Sequence, residues 1–237
     1  MHRMSNSDEQ SQLDKSVNTK ILNEDYFEEL DKRLVEFSCM RKEAQRLIAG
    51  IVGKNLFEDD LFFTSAISRS VDILDGLSNL LKDRNITCAG VLLRIQIDNL
   101  MRVFAAFIAK DRKDFIRKFL EGVHIRKMLD DRNNKMFDGV LIDRISEYYP
   151  DIREIYQKAS GYVHLSDVAF YKTWWADDSI IRFSIGTNTR EEINPLLLEI
   201  TDSFIYFLGL EFKLYNEVVV SKKEADQKLG EITSMQE

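Results

Sequence analysis

Between Ala89 and Ala109 the chain reads AGVLLRIQIDNLMRVFAAFIA, an apolar helical pattern broken by Arg94 and, four residues later, Asp98. Its apolar ring is wider than elsewhere, so the segment from about Thr87 to Lys110 is expected to be the central, most enclosed helix. Before it, Leu30, Leu34, Phe37, Ala44, Ile48 and Ile51 recur at spacings of three, four or seven. That stripe predicts a long amphipathic helix from Glu24, with Asn23 as its N-cap and Gly53 as its stop. A second helix, from about Asp59 to Lys82, carries Phe62, Ile67, Val71, Leu74, Leu77 and Leu81. Shorter helices follow at Lys113–Leu120, broken by Gly122, and at Asp138–Tyr148. Pro150 stops the latter and opens the next helix, which runs to about His164. The last helix is announced by the capping-box sequence Thr189 to Glu192. Its stripe of Leu196, Ile200, Phe204, Phe207, Leu210 and Leu214 leads to about Val220.

One segment breaks the helical period. Ile181, Phe183 and Ile185 alternate with Arg182 and Ser184, the period of a strand, and Val168–Trp175 is rich in aromatic and β-branched residues. With Ala176 to Ser179 as the turn and Gly186 as the end, a small β-hairpin is expected. An isolated hairpin is marginally stable, so its aromatic face is expected to lie on the helices. Residues 1–22 are polar and aperiodic and read as a disordered arm, and residues 221–237 lose the stripe and read as a frayed tail. The charged stretch His124 to Lys135, ending in Asn133-Asn134, reads in part as a mobile loop. The pattern as a whole predicts an all-α fold: an up-and-down bundle of four to five main helices, one domain over 23–220, with a hairpin before the last helix.

Composition narrows the functional classes. The 237 residues hold only 10 Gly and 2 Pro, too few turn formers for a sandwich or barrel. A net charge of -7 opposes wholesale coating of nucleic acid or anionic lipid. No uncharged apolar run reaches the roughly 20 residues that span a bilayer, and the N-terminus lacks a secretory pattern. Cys39 and Cys88 stand without framework or metal spacing, which reads as buried thiols in a reducing cytoplasm. Gly-rich phosphate loops, zinc spacings, EF-hand loops and H-E-x-x-H patterns do not occur, so neither metal nor cofactor is expected.

Three constellations carry candidate chemistry. Arg94 and Asp98 share a helix face inside apolar surroundings, where charges persist when paired. They read either as a clamp for phosphate or carboxylate, with Asp98 holding the guanidinium, or as an ion pair that fixes helix docking. Arg69 and Asp72, at i and i+3 on the second helix, would extend either version. His164 ends a helix pattern, where an imidazolium is favoured, with Ser160 one turn before it and Tyr162 between. It reads as a proton-handling group or as a helix C-cap. Lys110, Arg112, Lys113, Arg117, Lys118, Arg126 and Lys127 stand against Asp111, Asp114 and Glu121. That excess reads as a track for RNA or a nucleotide, or as a solvated face with local pairs. Trp174-Trp175 reads as a stacking platform or as a hairpin anchor.

The Arg-x-x-x-acid step of Arg94 and Asp98, the Y-x-x-x-S-x-Y-x-H run from Tyr156 to His164 and the hairpin before a last long helix resemble bacterial all-α proteins related to the HEPN superfamily. The resemblance covers residues 24–220. It implies a homodimer, for which the striped first and last helices could leave apolar surface, and a place in phage defence or stress response. It also implies metal-independent RNA cleavage, with His164 as general acid or base and Arg94 stabilising the phosphate. Catalytic members carry an Arg, then four to six residues, then the His. Here Lys158 stands six before His164 and the nearest upstream arginine is Arg153, about 16 Å away along a continuous helix. Two functions are therefore expected: a binding or regulatory module, or a ribonuclease using His164 with Arg94.

Overall fold

The computed structural model describes residues 6–163, 174–177, 180–183 and 191–234, with side chains described over 25–163, 180–183 and 192–231. Seven α-helices lie in these residues: α1 Asn6–Val52, α2 Glu58–Lys82, α3 Ile86–Ile108, α4 Arg112–Leu120, α5 Asp138–Ser146, α6 Ile152–Val163 and α7 Asn194–Ser234. None is long and apolar enough to cross a membrane. The fold is all-α, as the helical stripes predict. Backbone signals set the element ends. Gly53 takes φ +54 just past α1, the Asn85 side chain accepts the Cys88 N–H to cap α3, and Asp111 accepts the Asp114 N–H to cap α4.

The central helix is α3, which packs against α2, α4, α5, α6 and α7. Leu93, Ile97, Leu100, Met101 and Phe104 of α3 are buried in one core with Leu74 and Leu77 of α2 and Phe204, Phe207 and Tyr215 of α7. α6 approaches α3 very closely at Gly90. A Cβ there would stand 2.2 Å from Cγ of Tyr162, so only glycine lets the ring lie on the α3 backbone.

Several expectations need correction. The backbone of α1 is helical from Asn6, through most of the segment read as an arm; its side chains before Asp25 lie outside the described residues. α7 continues to Ser234. Its end is anchored: Lys222, wholly inside, binds Asp60 and the Asn55 carbonyl, and Asp226 accepts the Lys54 N–H and an Asn55 amide N–H, each at 2.9 Å. A stripe analysis that counts only apolar residues misses this, because Lys222 occupies a core position by pairing. The stretch after His124 is also ordered. Asp130, fully buried, accepts the backbone N–H groups of Arg132 and Asn134 and the Arg144 guanidinium, and Asn133 takes the left-handed φ of 63° that closes the turn. Charge density there marks a polar knot. Cys39 and Cys88 are exposed, not buried.

The hairpin is present as β1 Trp174–Asp177 paired antiparallel with β2 Ile180–Phe183, in the register Trp174 opposite Phe183. Ala176 and Asp177, expected in the turn, belong to the strand. Every residue of β2 is exposed, so this strand does not supply the expected contact with the helices. The Trp174 and Trp175 side chains, the segment Val168–Thr173 and the Thr189 cap lie outside the described residues.

Candidate functional site

Arg94 projects from α3 toward α6. Its Nη2 donates to the Tyr156 hydroxyl at 2.9 Å and its Nε to Ser160 Oγ at 3.3 Å. The guanidinium carbon also lies 4.2 Å from the Tyr156 ring centroid, a cation–π contact. Asp98 Oδ1 is 3.6 Å from Arg94 Nη1, an ion pair longer than a hydrogen bond. The guanidinium is thus held by Tyr156 and Ser160, and only secondarily by Asp98. Two of its five N–H groups are committed to these hydrogen bonds, so it retains donors for a ligand.

Asp98 is held more closely by Arg102, one turn further along α3, at 3.1 Å, and Arg102 reaches on to Asp138 of α5 at 2.8 Å. Arg94, Asp98, Arg102 and Asp138 form a ladder across α3 and α5. It lines an open concavity of about 380 Å³ together with Ile95, Tyr156, Ser160 and Val163. Arg102 and Asp138 also line a second concavity of about 600 Å³, whose walls are Phe119, Gly122, Val123, His124, Ile125 and Arg126. The shared residues make the two one trough, holding three guanidinium groups against two carboxylates. A third concavity of about 260 Å³ is lined by Lys110, Lys118 and Lys127 with Asp111 and Asp114, and shares no lining residue with the trough.

The sequence-derived residues divide on this geometry. Arg94, Asp98 and Ser160 come together. Arg69 and Asp72 are exposed, form no ion pair among the described residues and do not line the trough. Tyr162 turns to a slot lined by Leu93, Ile155, Leu196 and Ile200 with Lys158 and Glu199, and burial, with Glu199 nearby, pushes its phenol up to about 12. His164 lies outside the described residues. The basic patch is partly self-neutralised: Arg117 pairs with Asp114 and Glu121, Lys118 pairs with Asp114, and Arg112 stacks on Phe107. Lys110 bonds Asn133 at 2.8 Å, while Arg126 and Lys127 carry no carboxylate partner among the described residues.

Tyr156, Arg102 and Asp138 were not among the expected site residues. Arg102 extends the Arg94-Asp98 face by one more i+4 step and was legible. Asp138, 36 residues along the chain from Arg102, was not. No cluster of three or more metal-ligating side chains occurs among the described residues. The fold and site together define an all-α bundle with an arginine-lined surface trough. No protein-family model, curated protein or solved structure matches this chain.

Proposed function

We propose that the chain is a binding module that takes a single-stranded RNA along the trough between α3, α5, α6 and the turn before Met128. One observation carries the reading: Arg94, Arg102 and Arg126 follow one another along a trough made of two concavities that share Arg102 and Asp138, and Lys127 lines a third. A mononucleotide would engage one of the two joined spaces; a strand would run along both. The polyanion would displace counterions at each cation, and the partly exposed Tyr156 and Phe119 give bases flat apolar surfaces to stack on. The net charge of -7 leaves the local excess to do the recruiting.

Fluorescence anisotropy with a labelled RNA of about 10 nucleotides tests this. Binding is expected to weaken steeply with salt. The double variant Arg126→Ala, Lys127→Ala is expected to lower the slope of log K against log salt by about 1.4. Binding that ignores both salt and the double variant would remove RNA from the trough.

A second reading uses the same place. Arg94, held beside Tyr156 and Ser160 with N–H groups to spare, is positioned as the charge stabiliser of a metal-independent ribonuclease. Cleavage of the same RNA in the presence of chelator, lost on His164→Ala at unchanged melting temperature, would convert the binding module into an enzyme. Binding without cleavage would leave the module alone.

A further inference from the structure

Glu211 sits wholly inside the bundle on α7 and makes no ion pair among the described residues. The other two fully enclosed acids differ, since Asp60 holds Lys222 and Asp130 holds Arg144. Glu211 is ringed by neutral donors from three helices. From α2, Ser70 Oγ donates to Oε2 at 2.8 Å. From α3, Gln96 Nε2 donates to Oε2 at 2.5 Å and Asn99 Nδ2 to Oε1 at 3.0 Å. From α7 itself, the Tyr215 hydroxyl donates to Oε1. The Ala66 carbonyl completes the ring by accepting from Asn99 at 3.1 Å. None of these groups carries charge, and burial keeps the Tyr215 phenol protonated far above its ordinary range.

A carboxylate enclosed this way lacks the counter-charge that burial demands, and burial pushes the Glu211 carboxyl up to about 7. Taking up a proton relieves the charge but creates an O–H that needs an acceptor. Among the described residues the ring holds one idle acceptor: Gln96 Oε1 is buried without a partner there. It belongs to the amide whose other end already faces Oε2.

We propose that Glu211 and Gln96 form a proton switch inside the core, in which the amide turns end over end as the acid changes state. With the carboxylate ionised, Gln96 offers an N–H to Oε2. When Glu211 takes a proton from solvent, the amide makes a half-turn and Oε1 accepts the new O–H. Ser70, Asn99 and Tyr215 hold the carboxyl in place through the exchange. The device acts on α3, because Gln96 and Asn99 face Glu211 while Arg94, Asp98 and Arg102 face the trough. At 3.6 residues per turn, Arg94 and Gln96 point about 160° apart. The proposal stands apart from any RNA reading, since it concerns the packing of α2, α3 and α7.

The test is an NMR titration of the full-length wild-type protein, reading the glutamate carboxyl carbons and the Gln96 side-chain amide from pH 5 to pH 9. One carboxyl is expected to titrate near neutrality, with the Gln96 resonances moving at the same midpoint. Tyr215→Phe, which removes a donor to the ionised form, is expected to raise that midpoint. The proposal is overturned if all glutamates titrate below about pH 5.5. It is also overturned if the Gln96 amide stays still through the transition, or if Tyr215→Phe leaves the midpoint where it was.

Discussion

Tyr156 holds Arg94 in two ways at once: its hydroxyl accepts an N–H at 2.9 Å, and its ring lies 4.2 Å from the guanidinium carbon. The two contributions separate by substitution. Tyr156→Phe keeps the ring and removes the acceptor, and is expected to cost about 1 kcal/mol of stability, as a hydrogen bond to a partly exposed charge. Tyr156→Ala removes both and is expected to cost about 2–3 kcal/mol. Urea denaturation of the two variants measures the difference, and a Phe variant as damaged as the Ala variant would place all the weight on the hydroxyl.

Gly90 is where α3 and α6 meet. Alanine is the better helix former by about 1 kcal/mol, yet its methyl would overlap the Tyr162 ring. Gly90→Ala is therefore expected to destabilise by about 1–3 kcal/mol, as overpacking does, and to loosen α6. Adding Tyr162→Ala to Gly90→Ala makes room for the methyl, so the double variant is expected to lose less than the sum of the single losses. A thermal melt of all three decides it.

The pH profile of stability follows from Glu211. Its native carboxyl lies at about 7, above the ordinary 4.5, so the folded state binds the proton more tightly than the unfolded chain. This stabilisation is full below about pH 4.5 and is lost as pH rises through 7. The expected loss is on the order of 3 kcal/mol between pH 4.5 and pH 8, read by urea midpoints. Glu211→Gln is expected to flatten the profile over that window. A wild-type profile that rises across it would contradict the assignment.

Asp130 ties the turn after Met128 to α5. Asp130→Ala would leave the backbone N–H groups of Arg132 and Asn134 without their acceptor and take one of two close carboxylates from Arg144. The cost is expected at about 3 kcal/mol, near the lower end for breaking a buried pair, because Asp131 still holds Arg144. Hydrogen exchange should accelerate through residues 128–137 before it does elsewhere.

Much of this fold was legible because helices announce themselves by period. α2 to α5 begin or end within two residues of the expectation, and Arg94 and Asp98 revealed themselves as charges on an apolar helix. The same signal marks Glu211 and Lys222, which continue the α7 stripe of Ile200, Phe204 and Phe207 at spacings of three and four. The apolar members of the stripe alone do not reveal them. What periodicity cannot supply is partnership across the chain: Tyr156 lies 62 residues from Arg94, and Ser70 lies 141 from Glu211. The order of the Asp130 turn is hidden for a related reason. A run of charges looks the same on paper whether its members face water or one another.

The anchored end of α7 has a practical corollary. Trimming the protein after Val220, as its polar final residues invite, would delete Lys222 and Asp226, leaving Asp60 buried with no counter-ion and Lys54 and Asn55 without their carboxylate acceptor. A shortened chain of that kind should melt earlier and aggregate sooner than the intact one, however expendable its last helical turns look.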